Sequence, residues 1–319
     1  MFLRFKVHGS RFRQTLNTDA HRLHRHKRID TGASGCGLRQ RWIVAALLVA
    51  GCAKPVSAGP PFQTDDPESI EYRHTEMYAF TLVDSTGRNA GGTVLAVPAY
   101  EVNYGALPNV HLHLVVPMTA LFQPMGGDTN FGIGDLETGV KLRFIQESAH
   151  RPQVGIFPFF ELPTGSVSKG LGVGSTWYRM PMWAQKSWGQ KDRQWTSYGG
   201  GGETVFSGDA HAAGYANFPF AGWLVQKQLS EKLTLAGELF GHGAEGPAGT
   251  SEHSATMLDA GGIYEFSDGF DLLFAGGRSV HGEPESYGYL ALYWTFGADS
   301  SKGPKKAGEK MLFETMQLR

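Results

Sequence analysis

The chain has 319 residues, of which 43 are glycine, 12% are aromatic and 18% are charged, and its formal net charge is −1. Its mean hydropathy is −0.25, and beyond residue 58 no stretch approaches the roughly twenty consecutive apolar residues that a membrane-spanning helix needs. If the chain enters a bilayer, it must do so as a closed barrel of strands, because only helices and edge-free barrels satisfy every backbone polar group in lipid.

Residues 1–58 have the composition of an export leader. The longest apolar block, WIVAALLVAG at residues 42–51, follows Arg41 and is followed up to Ala58 by small residues of the A-x-A kind. A short apolar block in this setting predicts a secretory signal peptide, with cleavage after Ala58 as the simplest interpretation. The competing interpretation is a bacterial lipoprotein box, VAGC, which would leave a lipidated Cys52 at the new N-terminus.

The residues upstream of this block are strongly basic and include His21, His24 and His26 in HRLHRH. We interpret them as an overlong basic region of the leader or as the result of a start codon assigned too far upstream. The alternatives are metal binding, which lacks acidic or cysteine partners nearby, and nucleic-acid binding, which does not suit an exported protein. Removing residues 1–58 leaves 18 basic and 28 acidic residues and no cysteine. The mature chain is therefore acidic, with neither a disulfide framework nor thiol chemistry.

Three further regions follow the leader. Residues 59–71, GPPFQTDDPESIE, predict an extended periplasmic lead-in, in which Asp65 and Asp66 form a solvated turn rather than a cation site. Residues 72–296 predict the folded domain. Residues 297–319 form a polar, basic C-terminal tail.

Residues 72–296 contain twelve segments of strand character, each bounded by Gly, Pro, Asn, Asp or Ser. Their connections alternate between short and long, and short periplasmic turns with longer outer loops are typical of outer-membrane barrels. The sequence therefore predicts an all-β fold, a transmembrane up-and-down antiparallel β-barrel of about 12 strands. The predicted strands are Tyr72–Val83, Gly92–Tyr104, Leu107–Met118, Gly132–Gln146, Gln153–Leu162, Ser175–Trp188, Trp195–Phe206, Phe218–Leu229, Leu233–His242, Ala255–Phe266, Asp271–Val280 and Tyr287–Phe296.

The segment GIGDLETGVKLRFIQE, residues 132–147, shows the expected two faces most clearly. Its apolar and charged residues alternate with a period of two, as on a strand with one wet face. A charge on the lipid face costs about 2–4 kcal/mol at mid-depth, so the charged face must point into the lumen. By this argument the lumen-lining residues are His111, His113, Asp135, Glu137, Lys141, Arg143, Glu161, Arg179, Gln185, Glu238, Asp259 and Glu265.

Aromatic and proline residues add two expectations. Aromatic residues near strand ends suit interfacial girdles, with core packing as the alternative; they are Trp177, Tyr178, Trp183, Trp188, Trp195, Tyr198, Trp223, Tyr293 and Trp294. Prolines inside strands remove a ladder donor and predict bulges or bends; they are Pro98, Pro117, Pro158, Pro181 and Pro219.

The mature chain also resembles a known family. The resemblance covers residues 59–296 and is carried, in order, by GPPFQTDDPE, YEVNYGALPNVHLHLVVP, GIGDLETGVKLRF, PFFELPTG, MPMWAQKSWG with YGGGG, GWLVQKQLSEKLTLAGELF and LLFAGGRSV. These motifs are similar to those of bacterial outer-membrane barrels that are regarded as transporters and grouped with the barrel proteins of phenol degradation. The resemblance implies a porin-like or transport role and carries over no catalytic residue.

We therefore expect a porin-like barrel of the bacterial outer membrane that allows passive passage of a small solute, hydrophobic and aromatic compounds included. Its partners would be outer-membrane lipids, the solute and the barrel-assembly machinery, with no nucleic acid and no cofactor. The alternatives are a closed structural or adhesive barrel that acts through its outer loops, and an outer-membrane lipid hydrolase. Hydrolases of this kind need a serine and a histidine in a specific setting, which neither His242-Gly-Ala nor His253-Ser-Ala provides.

Two motifs suggest chemistry only superficially. His111 and His113 stand on one strand face, a geometry that could hold a metal, yet no third ligand is evident. The glycine runs at residues 170–174 and 199–202 lack the lysine and the strand-to-helix context of phosphate-binding loops. We expect no metal site and no catalytic residues.

Overall fold

The structure is a computed structural model that describes residues 60–86, 93–122, 129–190, 193–212, 214–244 and 254–297. The predicted signal peptide, the alternative lipidation at Cys52 and the basic leader lie outside the described residues. The C-terminal tail beyond residue 297 lies outside them as well.

The described residues form one antiparallel sheet that closes on itself, because the first strand pairs with the last. The sheet has fifteen strands, and six of them lie end to end in three pairs. We call each single strand, and each such pair, a stave, so the barrel has twelve staves. This confirms the predicted up-and-down barrel of about 12 strands. The strands are β1 His74–Thr86, β2 Thr93–Leu107, β3 Val110–Phe122, β4 Asn130–Ile133, β5 Leu136–Ile145, β6 Gln153–Ile156, β7 Phe159–Leu162, β8 Trp177–Arg179, β9 Met182–Trp188, β10 Trp195–Phe206, β11 Phe218–Gln228, β12 Leu233–His242, β13 Ala255–Ser267, β14 Phe270–Gly282 and β15 Glu285–Gly297.

The three broken staves, β4–β5, β6–β7 and β8–β9, are neighbours in the wall. Two of the breaks occur at the predicted positions Pro158 and Pro181, which cannot donate to the ladder. The third break lies at Gly134, whose amide donates to the carbonyl of Pro117 on β3. The three breaks therefore lie side by side in one sector of the barrel. Pro98 instead lies at a register shift between β2 and β3, whereas Pro219 pairs in register with Glu203, so the bulge predicted there is absent.

Alternation along the strands separates a lipid face from a lumen face. On β3, His111 and His113 are 2% and 6% exposed, whereas Leu112 and Leu114 are 47% and 43% exposed. Lipid covers the second pair in a membrane, so exposure here marks the outer face of the wall. The period-two pattern thus places the polar residues inside, as an outer-membrane barrel requires.

The end of the barrel with the short turns is the periplasmic end. Turns there are as short as residues 108–109 and 268–269, whereas the opposite end has long connections such as 163–176 and 207–217. The last of these includes the five-residue helix α1, Gly208–Ala212. Within the described ranges, no helix is long and apolar enough to cross a membrane.

The aromatic residues divide between the two faces of the wall. Trp188, Trp195 and Trp223 are exposed on the lipid face, as expected of a girdle. Others are buried in the lumen instead, so for them the girdle interpretation is wrong and the packing alternative is correct. The buried residues are Trp177, Trp183, Tyr198 and Tyr293.

Candidate functional site in the barrel lumen

The lumen is crossed by the segment before β1, residues 60–72, which we name the strap. The strap has no regular secondary structure and is held at one end by carboxylates of β12 and β13. The backbone amides of Gln63 and Thr64 donate to the two carboxylate oxygens of Glu238, and the Gln63 side chain donates to Asp259 over 3.2 Å. Two of the predicted lumen residues therefore bind the strap.

The middle of the strap is held by charge. The Lys141 ammonium lies 2.9 Å from an oxygen of Asp65 and 3.7 Å from one of Asp66, while Arg143 lies 3.7 Å from Glu68. Asp66 is 1% exposed, so the prediction of a solvated turn is wrong. The described part of the predicted periplasmic lead-in, residues 60–71, lies in the lumen because its acids pair with basic residues of the wall.

Burial also changes the proton affinity of the strap acids. It raises the pKa of Asp66 to about 7, although the nearby Lys141 ammonium acts in the opposite direction. Burial likewise raises the pKa of Glu68, against the effect of Arg143. The strap therefore holds protons more tightly in its docked position than it would in water.

Glycines of the wall provide space for the strap. A Cβ atom at Gly222 of β11 would overlap the Thr64 hydroxyl, and one at Gly105 of β2 would overlap the Glu71 carbonyl. At Gly155 of β6, a Cβ atom would come within 3.1 Å of Pro67. Three separate staves thus lack side chains where the strap approaches, so the strap fits closely against the wall.

Above the strap, a polar cluster joins β2, β3 and β5. The Asn103 amide donates to Glu101 over 2.7 Å, so its oxygen is the acceptor that lies 2.6 Å from His113 Nδ1. His113 Nε2 lies 2.7 Å from a carboxylate oxygen of Glu137. Both ring nitrogens of His113 therefore face acceptors, one on β2 and one on β5. The cluster links the three strands on the inner face of the wall through these hydrogen bonds.

The polar cluster continues onto β7 and β8. Glu137 and Glu161 face each other in register across the β5–β7 pair. Arg179 of β8 donates to the Thr204 hydroxyl over 2.9 Å, and its guanidinium lies 4.8 Å from the centre of the Phe220 ring. Arg179 thus joins the polar cluster to an aromatic surface.

That aromatic surface encloses a cavity of about 100 Å³ inside the barrel. Phe62 and Gln63 of the strap line one side of the cavity, and the polar cluster borders it. An apolar cavity of about 150 Å³ binds benzene, so the volume here is of the order of one aromatic ring, in a lining that also includes charged side chains such as Lys141 and Arg179. The aromatic side chains that line it are Phe80, Phe157, Phe159, Trp183, Phe220, Tyr287 and Tyr289.

Ten of the twelve residues predicted to line the lumen are buried on the inner face of the wall, and Arg143 and Glu265 are partly exposed. The structure brings Lys141, Glu238 and Asp259 together through the strap. It places Asp135 elsewhere, against an outer loop. Among the described residues, no group of three or more His, Cys, Asp or Glu side chains has a geometry that could hold a metal.

Several residues inside the lumen were not predicted to lie there. Glu101 and Asn103 share an inner face on β2, and the alternation in AYEVNYG contains the signal that places them there. The strap acids Asp65 and Asp66 have no such signal, because nothing near them in the chain indicates that a barrel surrounds them. Their roles depend on partners brought close only by barrel closure.

His242, considered above as part of a hydrolase, lies in a different arrangement. Its Nε2 is 3.0 Å from a carboxylate oxygen of Glu285, and its Nδ1 is 2.8 Å from the Gly243 carbonyl. Both ring nitrogens are therefore occupied by acceptors, which leaves neither free to activate a serine. His253 lies outside the described residues.

Comparisons with known proteins agree with this architecture. The fold is similar to the COG4313 outer membrane channel from Pseudomonas putida F1, with a TM-score of 0.54 and 15% identity over 72% of this chain and 98% of that one. It is also similar to the translocator domain of autotransporter NalP from Neisseria meningitidis, with a TM-score of 0.46 and 9% identity over 72% of this chain and 90% of that one. A third similar structure is OpdK of Pseudomonas aeruginosa with vanillate, with a TM-score of 0.30 and 10% identity over 72% and 100% of the two chains.

At sequence level, no curated protein matches the chain significantly. The profile of the family described as "Putative MetA-pathway of phenol degradation" matches residues 73–295, which span the barrel almost from end to end. This match confirms the resemblance found in the sequence motifs. The protein is thus a bacterial outer-membrane barrel, and it belongs to this family.

Proposed function

We propose that the protein lets a small hydrophobic or aromatic solute cross the outer membrane by facilitated diffusion, without energy coupling and without catalysis. The observation that carries this proposal is the cavity of about 100 Å³ inside a membrane barrel, walled by Phe80, Phe159 and Phe220 and floored by the strap. Aromatic walls bind apolar molecules through buried area and ring contacts. A binding site of this kind within the lumen gives the solute an intermediate position on its way across the membrane.

The charges around the cavity favour a neutral solute. Lys141 is paired with Asp65, and His113 is held between Asn103 and Glu137. A solute with a full charge would have to break these buried pairs or enter without a partner, and both are costly. The acidic balance of the mature chain further disfavours anions.

Binding and flux together test this proposal. Fluorophenol, a neutral monoaromatic, should bind the purified barrel as seen by fluorine NMR, and phenol should cross vesicles with lipopolysaccharide in the outer leaflet faster than it crosses protein-free ones. Fluorobenzoate and arabinose are the charged and hydrophilic comparisons. Equal flux with and without protein, or tighter binding of fluorobenzoate, would contradict the proposal.

The second candidate function is a closed structural or adhesive barrel that works through its outer loops. The observation in its favour is that the strap crosses the lumen and is fixed to several staves. A folded barrel that neither conducts ions in planar bilayers nor binds fluorophenol would support this candidate over passage.

A further inference from the structure

The outer connection between β7 and β8 turns back toward the barrel. We name residues 163–174 of this connection the inward loop. Near its start, the Thr164 hydroxyl donates to the Gly134 carbonyl over 2.9 Å and accepts from the Leu136 amide over 3.0 Å. The loop is therefore fastened to the break between β4 and β5 rather than extended away from the membrane.

The far part of the inward loop reaches the inner face of other staves. Leu171 is 1% exposed and clusters with Val94 of β2 and Leu121 of β3, both near the outer ends of their strands. A Cβ atom at Gly132 of β4 would come within 3.0 Å of the Leu171 side chain. The loop thus runs from the β6–β7 stave along the inner face of the outer rim, past β4, to β2 and β3.

One carboxylate holds both ends of this loop. Asp135 lies at the break between β4 and β5 and is 3% exposed. One of its oxygens accepts from the Gly165 amide over 2.8 Å, and the other accepts from the Val173 amide over 2.9 Å. Hydrogen bonds to an ionised acceptor are about twice as strong as neutral ones.

The loop backbone lies so close to this carboxylate that side chains would not fit between them. A Cβ atom at Gly165 would come within 3.0 Å of an Asp135 oxygen, and one at Gly172 would overlap it. Glycine at positions 165 and 172 therefore lets the loop backbone approach the Asp135 carboxylate closely.

We propose that Asp135 is the positioning residue that holds the inward loop inside the outer mouth, and that the loop limits how fast a solute reaches the lumen cavity from outside. The second half of this inference rests on the proposed function; the first does not. Asparagine at this position keeps the shape but has only one acceptor oxygen, so one of the two amides would face an amino group. The variant Asp135→Asn should therefore release one end of the loop.

Cysteine labelling tests the first half. Cys36 and Cys52 are the two cysteines of the chain, so replacing both with serine gives a background in which Val94→Cys reports access to the surface under Leu171. Asp135→Asn should raise the rate at which a membrane-impermeant maleimide labels Cys at 94 by about tenfold. The matched control Asp209→Asn, at an exposed carboxylate of α1, should leave it unchanged.

An unchanged labelling rate in a folded Asp135→Asn barrel, with folding checked by heat-modifiable migration, would overturn the positioning role. Asp135→Glu, which keeps both acceptor oxygens, should fall between the parent and the asparagine variant.

Binding kinetics test the second half. The association rate of fluorophenol, from fluorine line shapes, should rise several-fold in Asp135→Asn while its equilibrium affinity changes little. Faster labelling with an unchanged association rate would show that the loop does not limit access, and would overturn that half alone. If the parent protein binds no fluorophenol, the proposed function fails while the labelling result still decides the role of Asp135.

Discussion

The inner and outer halves of the lumen differ in what fills them. Toward the periplasm the space is occupied by the strap, which is bound by Glu238 and by the Lys141 ammonium. Toward the outside the wall carries rings such as Phe206 and Phe218, which belong to the aromatic cluster of the lumen. One half is closed by polar contacts and the other is lined for an apolar guest. From this difference we expect the strap to limit permeability and the rings to determine which solute is bound.

Removing the strap should have the largest effect. Deletion of residues 60–70 leaves every strand intact and empties the inner half of the lumen, so we expect single-channel conductance to increase several-fold in planar bilayers. Asp209→Asn, far from the strap, should conduct like the parent. Conductance equal to that of the parent would show that the inner half is not the barrier.

Lys141→Met should produce the next largest effect. Removing one partner of a buried ion pair typically costs about 3–5 kcal/mol, and here it leaves Asp65 and Asp66 without their ammonium. The strap should detach, and its backbone should become sensitive to protease added to solubilised barrels. Lys169→Met, at an exposed lysine of the inward loop, is the matched control. Equal protection in both variants would mean that charge does not hold the strap.

The wall glycines that leave space for the strap allow a steric test of the inner half, with a smaller expected effect. In Gly222→Ala the new methyl group overlaps the Thr64 hydroxyl, and overpacking of this kind costs about 1–3 kcal/mol. Hydrogen exchange of the strap amides should accelerate accordingly. Thr64→Ala in the same chain removes the overlapping oxygen and should restore part of the protection. An absence of rescue would show that the methyl group acts on the wall and not on the strap.

Much of the inner surface of the wall could be predicted from the sequence, because a period of two determines which residues of a strand share a face. Glu238 and Lys141 were assigned to the lumen on that basis alone. The same rule also applies to two tryptophans, because Trp177 shares its face with Arg179 and Trp183 shares its face with Gln185. Both indoles could have been placed inside with their predicted neighbours.

The strap and the inward loop could not be predicted in this way. Asp65 meets Lys141 across 76 positions of the chain, and Asp135 meets Val173 across 38. Neither segment has a period, because neither is a strand, and their contacts exist only once the barrel has closed. Sequence alternation describes the wall, whereas the contents of the lumen depend on long-range packing.

Replacing an aromatic ring of the outer half tests whether these rings bind the solute. Phe220 contacts Trp183 and Phe240 and lines the cavity. Phe220→Leu removes ring contacts worth about 0.5–1.5 kcal/mol, so fluorophenol affinity should fall by roughly two- to tenfold, with conductance unchanged. Phe131→Leu, on the exposed side of β4, should not change affinity. A change in conductance without a change in affinity would reverse the roles assigned to the two halves.

The smallest expected effect is a dependence of strap docking on pH. Because the docked strap raises the pKa of Asp66 from 3.8 to about 7, docked chains hold more protons than undocked ones between these values. Docking should therefore strengthen as the pH falls through 7, by a factor of about three for a drop of about one unit around neutrality. Hydrogen exchange of residues 60–72, corrected for its intrinsic pH dependence, measures this. Asp66→Asn, which cannot titrate, should lose most of the dependence, with the remainder due to Glu68, whose pKa is also raised. A dependence that persists in full in Asp66→Asn would assign the effect to groups of the wall, and the inner half would then be held by charges other than those of the strap.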